Sequence, residues 1–108
     1  MEIIHNKLVR DKIPEIINAA GKKANYRVLD NDQEFLQALK SKLVEEANEA
    51  AAATNDQDLL EELADLELVI ANIKYLLRSG SGAGLSAAKI KEKGGFNKRI
   101  FLESVEEG

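Results

Sequence analysis

The sequence predicts an all-α protein built on an antiparallel helical hairpin. Three observations carry this. Apolar residues recur at helical spacing through two long stretches. A short Thr54-Asn55-Asp56 turn separates those stretches. Aromatic residues make up only 5% of a chain that is 44% hydrophobic, so Leu, Ile, Val and Ala must do the packing.

The elements follow in order. Residues 1–10 pass from a short apolar run into KLVRDK. Asp11 is a candidate cap for a helix over about 12–20, with Pro14 tolerated in the first turn and Gly21 as the stop. Tyr26–Asp30 (YRVLD) is too short to assign and is compatible with an extended segment. The first long helix is expected over about 33–53, capped by Asp32, with Leu36, Leu39, Leu43, Ala47 and Ala50 on one side. The second is expected over about 57–78, capped by Asn55 or Asp56. Its Leu59, Leu63, Leu66, Ile70, Ile73 and Leu77 alternate in steps of four and three. The link between the two helices is too short for anything but antiparallel neighbours. SGSGAG (79–84) is a flexible break, a modest helix follows over about 85–93, and Gly94-Gly95 ends it. Phe96–Val105 reads as a strand or an ordered tail.

A chain of 108 residues suits a single domain, here 1–108. One hairpin buries little. Completion into a four-helix-bundle-like core by self-association, as a homodimer or a tetramer, is therefore expected, with short extended ends compatible with the pattern. The net charge is -4, which argues against a nucleic-acid partner. No cysteine is present, so disulfides and thiolate catalysis are excluded. No stretch approaches the roughly 18 apolar residues of a membrane span, and MEIIHNKLVRDK lacks a signal peptide's apolar region. No membrane partner is expected, and the expected setting is cytoplasmic.

Chemistry concentrates in four carboxylates. Glu46 and Glu49 lie three apart on the first long helix, as do Glu62 and Asp65 on the second, and residues three apart share a helix face. Glu45 sits beside the first pair. A lone glutamate on such helices is ordinarily a solvated side chain. These pairs instead border the apolar stripes: Glu46 lies in line with Leu39, Leu43 and Ala50, and Glu62 and Asp65 lead toward Val69, Asn72 and Leu76. Acids on a packing face need partners or a metal. Facing pairs would raise each other's pKa unless a cation filled the space between them. An all-oxygen set fits Mg²⁺, with Mn²⁺ as the alternative ion, and Mg²⁺ suggests phosphate chemistry. A di-iron bundle would require Glu-x-x-His, and the single histidine, His5, lies outside both helices.

These blocks also carry a resemblance. KLVEEANE followed by EELADL resembles the EExxE…ExxD signature of the MazG-like all-α nucleoside triphosphate pyrophosphohydrolase superfamily. HNKLVRDKIPEII and KEKGGFNKRIFLE resemble its phosphoribosyl-ATP pyrophosphohydrolase-like branch. The resemblance covers nearly the whole chain, and it implies an α-helical fold, dimers or higher oligomers, and Mg²⁺-dependent hydrolysis of a nucleotide to monophosphate and pyrophosphate. It places the metal-binding carboxylates on Glu46, Glu49, Glu62 and Asp65, and matches Glu45 to the first acid of the signature.

Such hydrolysis needs a positioned water and cations on the phosphates. Glu45 is the catalytic candidate, either orienting or deprotonating the water or acting as an outer ligand. Lys7 and Arg10 near the first helix, and Lys98 and Arg99 after Gly94-Gly95, are the substrate-binding candidates. Asn72, on the stripe of Asp65, can bond a ligand, a metal-bound water or a buried neighbour. The expected function is Mg²⁺-dependent cleavage of a nucleoside triphosphate, non-standard bases included. Two alternatives stand beside it: phosphoribosyl-ATP as the particular substrate, or a non-catalytic helical dimerisation or regulatory module.

Overall fold

The computed structural model describes residues 1–77, 88–89 and 91–106. The described residues form the helices α1 (Ile13–Ala19), α2 (Asp32–Ala52) and α3 (Asp56–Leu76), and they form no strand. No helix of the described residues is long and apolar enough to cross a membrane. The chain divides into two compact units, Met1–Arg78 and Ser79–Gly108.

The first unit is organised by the α2–α3 hairpin, whose helices pack along each other. Both start where an asparagine offers its side-chain oxygen to orphan amides. Asn31 Oδ1 accepts from the N–H of Gln33 and Glu34 at 2.9 and 3.1 Å. Asn55 Oδ1 accepts from Asp58 N–H at 2.9 Å, and its amide donates back to Asp58 Oδ2 at 2.9 Å. Asn31 therefore takes the capping role expected of Asp32, which becomes the first helical residue. There, with Glu34, its charge complements the positive end of the helix. Asp56 and Asp58 do the same for α3.

At α1 the expected Asp11 cap is not formed. Lys12 is the N-cap, its backbone is already helical, and no side chain caps it. A cap oxygen accepts from the second or third helical amide, and Pro14 removes the second of these donors. The C-terminus of α1 ends as expected. Gly21 adopts φ +82, and its N–H and that of Lys22 bond back to Asn18 O and Ile17 O at 3.1 and 3.3 Å. Tyr26–Asp30 forms no regular element, and the ion pair of Arg27 with Glu34 ties it to the first turn of α2.

The core is small. Among the described residues only Leu39 and Val69 are buried apolar side chains, 2% and 8% exposed. Burying a leucine this fully is worth ~1.5–3 kcal/mol. The face of α3 turned toward α2 carries Glu62, Asp65, Leu66, Val69, Ile73 and Leu76, all shielded in whole or part. Leu59, Leu63, Ile70 and Leu77 of the stripe read from the sequence are exposed, as are Leu60 and Leu68. The single chain thus turns its acid-bearing stripe inward and leaves much of its leucine stripe uncovered.

In the second unit, residues 88–89 and 91–93 are helical, and Gly94 follows with φ +81. The Gly/Ser break and the start of the expected helix lie outside the described residues. Phe96–Val105 forms no strand, and Arg99 N–H bonds Phe96 O at 3.0 Å in a turn.

Candidate metal centre

The hairpin brings three of the four expected metal carboxylates together. Glu46 and Glu49 come from α2 and Glu62 from α3, and each offers an oxygen within 4.8 Å of the others. Oxygens sharing one cation at about 2.1 Å lie at most about 4.2 Å apart, so a small side-chain adjustment would close them on an ion. Glu46 is 5% exposed, the buried charged residue among those described. Its Oε2 and the Oε2 of Glu62 are shut off from solvent without a hydrogen-bond partner. An uncompensated buried carboxylate oxygen is costly. The donor set is entirely oxygen, so the residues fit Mg²⁺ or Mn²⁺.

Electrostatics point the same way. The Glu62 carboxyl is raised to about 7. The largest cause is its hydrogen bond with Glu49. Burial, the Glu49 charge and contact with Glu46 add to it. Without a cation, a shared proton offsets part of the repulsion.

Asp65 lies one turn beyond Glu62 and outside this trio. Its Oδ1 accepts from the Arg10 guanidinium at 3.0 Å. Glu45 also sits outside the trio. Its Oε1 accepts from Lys7 at 3.1 Å and its Oε2 from Lys42 at 3.3 Å. The Lys7 hydrogen bond, helped by Lys42 and opposed by burial, holds the Glu45 carboxyl below its ordinary range. Two residues expected to face phosphate, Lys7 and Arg10, thus meet two of the acids, and their segment lies against the hairpin. Asn6 takes φ +45 at its start, a conformation asparagine tolerates. A cavity of about 90 Å³ opens beside Glu45, bordered by Asn6, Lys7, Ser41 and Lys42.

Asn72 donates to Leu68 O of its own helix at 2.9 Å and is exposed. Lys98 and Arg99 are exposed in the second unit, Arg99 with φ +55.

Lys42 is the residue that sequence reasoning undervalued. Its ammonium also reaches Glu46 Oε1 at 3.3 Å, and its side chain is only 16% exposed. Burial acts to lower its pKa, but hydrogen bonds to Glu46 and Glu45 outweigh burial and the net shift is upward. The available signal was its place three and four residues before two acids, beside Leu39 and Leu43 on the packing face.

Compared with known proteins, the chain matches no family model, no curated protein and no solved structure.

Proposed function

We propose that this chain is a Mg²⁺-dependent nucleotide pyrophosphohydrolase that cleaves a nucleoside triphosphate to monophosphate and pyrophosphate. The observation that carries the reading is the convergence of Glu46, Glu49 and Glu62, with two buried carboxylate oxygens lacking donors. The resemblance of KLVEEANE, EELADL and the flanking basic blocks supplies the reaction class.

Glu46, Glu49 and Glu62 would hold the ion; Asp65, paired here with Arg10, is a fourth ligand on the strength of the resemblance alone. When bound, the ion neutralises and orients phosphate oxygens. Glu45 orients the attacking water at the cavity beside it. In the free chain Lys7 and Lys42 hold its carboxyl below the ordinary range, so it stands ionised and able to accept a hydrogen bond from that water. Lys7 and Arg10 border the same acids and are placed to exchange a carboxylate partner for a phosphate oxygen. Lys98 and Arg99 are phosphate-binding candidates on the strength of the KEKGGFNKRIFLE block alone, and Asn72 is a candidate ligand contact on its stripe alone. In the net reaction, water adds across the α–β anhydride bond. A product assay on a nucleotide panel that includes phosphoribosyl-ATP, with and without Mg²⁺, tests this. Pyrophosphate and monophosphate are expected. Orthophosphate released directly would mean a different bond is cut, and bound Mg²⁺ without turnover on any nucleotide would favour a non-catalytic helical module.

The working form in this reading is a homodimer or a tetramer built from dimers. The exposed Leu59, Leu63, Ile70 and Leu77 and the small apolar core of the described residues support it. Light scattering at micromolar concentration is expected to give a mass of two or four chains, and a monomer would contradict it.

A further inference from the structure

We propose that the Lys42 ammonium is a built-in cation occupying what would otherwise be a second ion position, so that the carboxylate cluster takes one divalent ion per chain rather than two. The inference rests on the metal-binding reading above and asks how many ions that site accepts.

The geometry is that of a bridge. Neighbouring residues on a helix point about 100° apart, yet Lys42, three before Glu45 and four before Glu46, lies on a face shared with both. Its Nζ lies 3.3 Å from Glu45 Oε2 and 3.3 Å from Glu46 Oε1. Some phosphoryl-transfer sites hold two cations about 3.5–4 Å apart, and an ammonium bridging two neighbouring carboxylates of such a cluster supplies one positive charge where a second ion would add two. The Lys42 side chain is only 16% exposed, which favours its staying in place beside its partners over extending into water. It leaves Glu46 divided: Oε1 is satisfied, while Oε2 is buried and without a donor. Glu46 thus keeps one oxygen for an ion on the Glu49–Glu62 side.

The charge balance agrees. With every acid ionised, Glu45, Glu46, Glu49, Glu62 and Asp65 carry five negative charges, and Lys7, Arg10 and Lys42 carry three positive ones. Two negative charges remain, which a single divalent ion neutralises. With Lys42 neutral, the deficit grows to three, and one ion no longer covers it.

The test counts Mn²⁺ bound to the full-length chain by the loss of the free-ion electron paramagnetic resonance signal at neutral pH. One Mn²⁺ per chain is expected for the native protein and for Lys42→Arg, two for Lys42→Met, and one again for the double variant Lys42→Met with Glu45→Gln, in which the second position has lost a carboxylate. Circular dichroism checks folding. If Lys42→Met does not fold, Lys42→Gln, whose amide can still donate to a carboxylate, is read in its place with the same expectation. Two ions on the native chain, or a single ion on the neutral variant, would overturn the role of Lys42 while leaving the metal site standing. No Mn²⁺ on the native chain would remove the metal-binding reading itself, and this inference with it.

Discussion

Glu49→Gln is expected to lower Mg²⁺ affinity by at least about 100-fold and to abolish turnover, with helix content unchanged. Losing even an outer-shell partner of a metal site typically costs up to about that factor, and Glu49 is one of the three converging carboxylates. Its side chain is exposed, so the change asks little of the fold. The substitution also removes the main cause of the raised Glu62 pKa. The Glu62 carboxyl should then fall back toward the ordinary glutamate range, which carbon-detected NMR titration of the metal-free protein can follow. Calorimetric titration with Mg²⁺ gives the affinity. If affinity is unchanged, Glu49 does not belong to the site.

The second large effect is a pH-dependent crossing of stabilities in Glu62→Gln. The native Glu62 carboxyl sits at about 7 when folded, against an ordinary value of 4.5. Below the lower value it is protonated in both states, and its full contribution to stability is present. Between the two values the folded chain keeps a proton that the unfolded chain has shed, so that contribution is lost as pH rises through about 7. Glutamine does not titrate. Without metal, the melting temperature of Glu62→Gln relative to native should therefore rise from about pH 4.5 to 7 and level off above, leaving the variant the more stable at pH 8. Saturating Mg²⁺ should reverse the order, because only the native chain gains the full binding free energy. Paired thermal melts with chelator and with Mg²⁺ measure both parts. A melting difference that stays flat across this range would show that Glu62 does not share its proton with Glu49 and Glu46.

The hairpin and three of its acids were legible in the sequence because both rest on local periodicity. Glu46 could be assigned to the packing face from its alignment with Leu39 and Leu43, and it is buried there. Caps were legible only to within a residue. Asn31 and Asp32 are both competent, and the choice depends on which backbone leaves the helical region first. Long-range partner choice was not legible. Nothing in the spacing of KLVRDK says that Arg10 meets Asp65 or that Lys7 meets Glu45, since each contact is fixed by how the segment before α1 lies on the hairpin. The part Lys42 plays was not legible either, because the energetics of a Lys–Glu pair on a helix assume solvent, and enclosure is a property of the assembled hairpin.

The link Ala53–Asn55 has a kinetic consequence. Glu46, Glu49 and Glu62 lie within one short loop-closure, so the contact that closes the hairpin and the contact that gathers the acids are a single event. Such low-contact-order pairings form early and fast, with helix and short-loop steps on scales of about nanoseconds to microseconds. Here, however, like charges meet at the point of closure. Cation concentration therefore enters the folding rate as well as the final stability, and the chain samples its ionic surroundings while it is still coming together.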